Sequence, residues 1–362
     1  LRGIGALIVV VGHCLLTNTT LPPWMYHFPL TLVSDGDGIV LLFFALSGFV
    51  LFAPFRAAQT PAYLPYLVKR FVRIYPPFVV AVLCSALLYL LVQPHPIAAL
   101  SPWFNGSSWQ VPPSLGIIVG HFALTDARSL QGFDNVMWSL TQEMRMSLIF
   151  PLIALFVIGN WRVAVAASFI IAIRCNQIDA SANLDWTWDP FLTLSYLFLF
   201  TGGAALALNR DRLAPFFARL PRWTHIALWI VAIRLVAVPA EVHAAIITNI
   251  GALAIVALAV GTNVADGFLS FGAFRWLGRV SYSLYLVHLP IILTYVHLFH
   301  GRAPLPLLLL ASIATALPSA ELMHRWVERP AVDCAQRLAT ALAQPRRRHF
   351  PVRLVAGLET PT

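Results

Sequence analysis

Of 362 residues, 59% are hydrophobic and only 11% are charged, and the mean hydropathy is +0.77. Soluble domains carry roughly a quarter charged residues, so this chain cannot cover a water-facing surface and a soluble globular fold is excluded. In a soluble protein the net charge of +9 would suggest nucleic acid, but here the basic residues sit in short loops between apolar runs, which is the pattern of membrane topology signals.

A helix crossing a bilayer needs about 20 mostly apolar residues. That ruler predicts an all-α polytopic membrane protein, with about ten transmembrane helices in one bundle. In chain order the expected centres are Ile8, Phe44, Leu83, Ile149, Ala167, Leu199, Val231, Ile255, Leu289 and Leu309. The fifth of these spans, 162–174, is short. The stretch 117–123 is apolar but too short to cross, and is expected as a re-entrant or surface helix. The long polar connection 93–137 carries Pro94, Pro96, Pro102, Trp103, Asn105, Trp109, Pro112 and Pro113. Loops of this length are usually functional or disordered. Exposed Trp beside Asn and Asp suits sugar stacking, and Trp also belongs at membrane interfaces in its own right; both readings stand.

No internal repeat or low-complexity linker divides the chain. Residues 1–330 are expected as one transmembrane domain and 331–362 as a basic cytoplasmic tail, with Arg346, Arg347 and Arg348 near anionic lipid and no nucleic acid. Leu1 already lies inside an apolar segment, so the natural start is expected upstream. Cys14, Cys84, Cys175 and Cys334 share no metal or redox spacing; they are expected as small buried residues, with no metal site.

With the N-terminus in the cytoplasm, the inner loops hold Arg56, Lys69, Arg70, Arg73, Arg162, Arg210, Arg212, Arg219, Arg222, Arg275 and Arg279, and the tail holds Arg325, Arg329 and Arg337. Most acids fall outside: Asp35, Asp37, Asp126, Asp134, Asp179, Asp185 and Asp189. That asymmetry predicts a multi-pass protein of the inner cell membrane with both termini cytoplasmic.

Ionisable groups inside spans are costly and therefore informative. His13 follows Arg2 by about three helical turns, so both share one face roughly 16 Å apart. Glu143 lies about one turn into its span, with Ser139 and Ser147 on the same face and Arg145 pointing elsewhere. Ser281, Tyr285 and His288 form a polar stripe on one helix. Arg234 is isolated; it would snorkel or pair with Glu241, and no role is assigned to it. Each of these groups has a bland alternative as interhelical glue. Arg70 and Arg73 form a basic patch suited to phosphate groups, and the positive-inside rule alone would also place them there.

Taken together, the segments resemble the membrane-bound acyltransferase family 3. Arg2-Gly3-Ile4 through Gly12-His13 resembles its first-span motif, and Phe43-Phe44-Ala45-Leu46-Ser47-Gly48-Phe49 its second. Arg70 and Arg73 match its Arg-x-x-Arg loop. Trp138-Ser139-Leu140 with Glu143 and Phe150-Pro151 resembles the fourth-span motif. The stretch from Leu277 to Leu286 with His288 resembles the ninth, and Glu328-Arg329-Pro330 resembles the close of the last span. Many members have Asp ahead of the Phe-Phe pair, where this chain has Leu41, and an acid repeated after the fourth-span Glu, where it has Met144.

The resemblance implies an O-acyltransferase with no permanently bound cofactor. Its co-substrate would be acetyl-CoA or another acyl-CoA, and its acceptor a hydroxyl of a cell-surface or lipid-linked carbohydrate. Arg2, Arg70 and Arg73 would hold the donor's phosphates. His13 would deprotonate the acceptor or carry the acyl group, with Glu143 orienting the imidazole or binding the acceptor. Ser139, Tyr285 and His288 would line the acceptor site. The rival classes are a secondary transporter or exporter of a surface glycan or small molecule, and a receptor-like scaffold. A transporter would typically show inverted repeats with paired intramembrane charges, and a scaffold has no need for Arg2, His13 and Glu143 at these depths.

Overall fold

The computed structural model describes residues 1–343 other than 35, 57–61, 124–131, 183–189, 239–243, 263 and 265. Asp35, Asp126, Asp185, Asp189, Glu241, the Asp179 side chain and Arg346, Arg347 and Arg348 lie outside the described residues. The principal elements are helices: α1 (Arg2–Leu16), α2 (Asp37–Leu51), α3 (Tyr63–Val92), α4 (Leu115–Ala123), α5 (Met137–Ala182), α6 (Leu197–Leu208), α7 (Arg222–Val236), α8 (Ala244–Gly261), α9 (Gly272–Phe299), α10 (Leu305–Met323) and α11 (Arg329–Ala343). Lipid supplies no hydrogen-bond partners, so an apolar chain satisfies its backbone within each helix.

Among the described residues, six stretches are long and apolar enough to cross a membrane: Asp37–Arg56, Tyr63–Val92, Met137–Ile178, Pro190–Leu208, Gly272–Phe299 and Leu305–Ala343. Arg2–Leu16 and Ile246–Gly261 are apolar but shorter. Every expected centre falls inside a helix, yet the helices by themselves do not establish the expected count. The reason is local. The 46 residues of α5 run through both the fourth and the fifth expected spans, broken at Asn160 (φ −155°, ψ 95°), and α7 has only 15 residues. The 117–123 segment is a short helix, α4, whose Phe122 packs against Phe78 of α3 and whose Phe122 carbonyl accepts from Tyr75.

Leu83, Leu87, Leu90, Leu152, Phe156 and Leu310 are exposed, whereas Phe52, Phe78, Phe150, Phe200 and Met146 are fully buried. An exposed belt of large apolar side chains around a packed interior suits a lipid solvent. Of the cysteines expected to be buried, Cys14 and Cys175 are, while Cys84 and Cys334 lie on outward helix faces. Arg234 sits over the Phe28 ring, 5.9 Å from its centroid. The segment expected as a tail begins as α11, which packs along α3.

Two helices organise the bundle. α2 packs against α6 and α8, and α9 against α1, α3 and α10. The α1–α9 contact is the tightest at its foot: a Cβ on Gly3 would stand 2.5 Å from the Gly278 nitrogen and 2.6 Å from the Leu277 carbonyl carbon. The helices can touch backbone to backbone because residue 3 has no side chain. His13 then meets His288 at the same sequence offset, 275, as Gly3 meets Gly278, so the two helices run parallel and in register.

A Cβ on Gly278, by contrast, meets nothing within 4 Å. Gly3→Ala should therefore cost about 1–3 kcal/mol by overpacking, whereas Gly278→Ala should be neutral or slightly stabilising. Denaturation of the two variants in detergent checks this, and equal effects would contradict it.

Candidate active site

Two neighbouring cavities gather several of the interior's polar groups. The first, about 40 Å³, is lined by Arg2, Phe43, Ser139, Glu143, Ser281 and Tyr282 among others. The second, about 470 Å³, is lined by His13, Asp37, Tyr26, Trp103, Asn135 and Trp138 among others. Val40 and Tyr285 line both and form their common wall. Tyr285 is held there: its hydroxyl donates to the Val136 carbonyl (3.1 Å) and shares a hydrogen bond with Ser139 Oγ (2.7 Å).

Glu143 was expected to meet His13, and it does not. Its carboxylate accepts from Ser47 Oγ (2.8 Å) and pairs with Arg70, whose Nε donates to Ser147 Oγ (3.0 Å). A buried carboxylate needs a full opposite charge, and a guanidinium on α3 supplies it better than an imidazole could. Arg2 and Arg73 add to the field around Glu143, and Arg73 also feels Glu328. Glu328 is buried and accepts from Ser283 Oγ (2.7 Å) and His324 Nδ1 (3.0 Å). Arg2, Arg70 and Arg73 thus share an internal charge cluster, in which Arg70 is paired with Glu143. Arg145 points away, as expected, donating to Thr193, which in turn donates to Gln142.

The partner of His13 is His288. His13 Nδ1 lies 2.8 Å from His288 Nε2, with the rings within 9° of parallel. His288 Nδ1 lies 3.1 Å from the Leu284 carbonyl, which can only accept. Following the hydrogen-bond network, as tautomers must be assigned, His288 carries its proton on Nδ1 and accepts at Nε2. His13 therefore donates from Nδ1, and its Nε2 is left with a lone pair. The chain runs from a backbone carbonyl through one imidazole to another and ends on His13, which lines the larger of the two cavities. Trp103 stacks on the His13 ring (5.1 Å, 26°).

The described part of the 93–137 connection forms a cap over this site. Its short helix Pro102–Ser107 starts at Ser101, whose side chain accepts from the Phe104 amide and donates to the Leu16 carbonyl at the end of α1. Of the tryptophans considered for sugar stacking, Trp109 is buried and donates to Ser85 Oγ (3.1 Å), and Trp103 covers His13. Asn105 is consumed by loop carbonyls of Ile97, Leu100 and Ser101. Asp37, read from sequence only as an outer acid, lines the His13 cavity. Its one advance signal is that it precedes Leu41, where family members carry Asp, by one helical turn on the same face.

The family model described as an acyltransferase domain matches residues 1–322. The chain belongs to acyltransferase family 3. Comparison with curated proteins and with solved structures gives no match. The family membership makes this a membrane acyltransferase, and the six apolar helices accord with a multi-pass protein.

Removing either partner of the Arg70–Glu143 pair should cost about 3–5 kcal/mol, while the paired change Arg70→Met with Glu143→Met should cost much less than the sum. Strict additivity in a double-mutant cycle would show that the pair is not coupled. In the cap, burial pushes the Asp134 carboxyl up to about 8, and neither of its oxygens has a hydrogen-bond partner among the described residues. Unfolded, the same group titrates near about 3.9. The folded state then holds the proton more tightly, so stability should fall as pH rises from about 4 to 8 and level off above. Asp134→Asn should flatten that slope in a pH series of melting temperatures; an unchanged slope would assign it to other groups.

Proposed function

We propose that this acyltransferase moves an acyl group, most simply acetyl, from acyl-CoA to a hydroxyl of a cell-surface or lipid-linked carbohydrate acceptor. In this reading the protein crosses the inner cell membrane about ten times, with both termini and the arginine-rich end in the cytoplasm. The observation that carries the reading is the Leu284–His288–His13 relay, which leaves His13 Nε2 as a hydrogen-bond acceptor on a cavity of about 470 Å³.

The acceptor enters the His13 cavity beneath the cap, where Trp103 and Trp138 offer flat faces and Asp37 and Asn135 offer polar ones. His13 Nε2 takes the proton of the acceptor hydroxyl. The oxygen adds to the thioester carbonyl, the carbon–sulfur bond breaks, and the thiolate recovers the proton from the imidazolium. The products are the ester and the free thiol. His288 acts as the positioning residue. It holds the His13 proton on Nδ1, as a ligand's outer partner fixes a tautomer. Glu143 holds Arg70 and so ties the first turns of α5 to α3.

The donor arrives from the arginine-rich end, where the Arg2–Glu143 cavity is too narrow to admit its arm while Tyr285 is tied to Ser139. Entry therefore requires Tyr285 to swing from the wall. Ser139 and Tyr285 serve the donor's passage as well as the acceptor.

His13→Ala should lower transfer by about 10²–10⁴-fold with the protein still folded in the membrane. The assay compares surface glycans by mass spectrometry in a deletion strain complemented with wild type or variant. Wild-type levels of modified glycan from His13→Ala would remove the imidazole from the mechanism.

A further inference from the structure

On the arginine-rich end a second basic feature stands apart from the internal charge cluster. Arg279 of α9, Glu321 of α10, His324 and Arg325 of the turn His324–Glu328, and Arg329 of α11 line an open pocket of about 400 Å³. Glu321 is fully engaged, accepting from Trp276 Nε1 (2.7 Å) with one oxygen and from Arg325 with the other. His324 uses Nδ1 on Glu328. Among the described residues, Arg279 and Arg329 have neither a carboxylate nor a hydrogen-bond partner. Two exposed guanidinium groups thus face one pocket with no counter-charge of their own.

We infer that this pocket binds the phosphorylated end of the acyl donor, a phosphomonoester dianion held between Arg279 and Arg329. Guanidinium forks match phosphate oxygens in pairs, which a scattered positive surface does not require. The pocket's place in the fold supports the donor over a lipid headgroup. Arg279 directly follows Gly278, the residue against which α1 is seated. From Arg279 to His288 the same helix rises roughly 14 Å. A donor whose phosphates and reactive carbonyl lie at opposite ends of a long flexible arm spans that interval. Arg70, by contrast, is paired with Glu143. The turn that carries Arg325 also sends Glu328 inward to Ser283, so a ligand here would touch the same wall that borders the internal cluster. The inference rests on the acyl-CoA reading above.

The test uses the purified full chain in nanodiscs of mixed phosphatidylcholine and phosphatidylglycerol, with coenzyme A and dephospho-coenzyme A as probes. Wild type should bind coenzyme A more tightly than the dephospho form. Arg279→Gln with Arg329→Gln should weaken coenzyme A binding about 10-fold or more and erase that preference. Arg337→Gln, outside the pocket, should change neither. Arg279→Lys with Arg329→Lys keeps the charge and loses the fork, and should weaken coenzyme A binding at an unchanged melting temperature. This pair decides the matter should the glutamine pair fail to fold. If wild type binds coenzyme A and both pairs bind it equally well, the pocket inference is overturned and the acyl-CoA reading survives. If the pairs lose only co-purifying phosphatidylglycerol, the pocket is a headgroup site and the inference is likewise overturned. If wild type binds no coenzyme A, the donor reading itself fails, and this inference with it.

Discussion

The backbone contact between Gly3 and Gly278 sets the geometry on which the rest depends. Because α1 can lie directly against α9 at their feet, the two helices stay parallel and in register for the rise of about 15 Å that separates those glycines from His13 and His288. A displacement of one residue would turn the imidazoles about 100° apart on their helices, since each residue adds that angle to a helix of 3.6 residues per turn. The hydrogen bond between the rings is therefore a consequence of packing far below it. The cap closes the upper end of the same pair, through Ser101 to the end of α1 and through Phe104 and Trp109 to His297 of α9.

Charge is handled by segregation. Arg2, Arg70 and Arg73 gather at one end with the acids Glu143 and Glu328, where each acid is met by a donor or a guanidinium. The histidine relay lies beyond Tyr285 and is made of groups that need no counter-ion. A relay that ends on a backbone carbonyl orients an imidazole without placing a net charge in an apolar interior, where an unpaired ion is expensive. Tyr285, tied to Ser139, keeps the two zones apart.

How far the sequence alone led is best seen residue by residue. The helices, their approximate centres and the spacing of Arg2 and His13 followed from apolar run length and helical period. The Ser281–Tyr285–His288 stripe was visible for the same reason, and each of its members does face the interior. What could not be read was which stripes face each other. A single sequence carries no record of helix neighbours, so Glu143 was matched to His13 on depth alone, whereas packing set it against Arg70. Trp109 could not be placed from sequence, because composition locates a loop without saying whether its indoles turn inward. Here the indole N–H reaches Ser85. Asp37 was passed over because an acid at the head of an apolar run looks like a topology signal. The span count depended on where a helix stops, and a kink at Asn160 does not stop one.

The central claim is the protonation pattern of the two imidazoles, and nitrogen NMR of histidine-labelled protein in lipid tests it directly. Signals assigned by comparison with His13→Ala and His288→Ala variants should show both rings neutral, each protonated at Nδ1 and bare at Nε2. A hydrogen-bond coupling should link His13 Nδ1 to His288 Nε2. A proton on His13 Nε2, or no coupling between the rings, would contradict the relay and with it the assignment of His13 as the base.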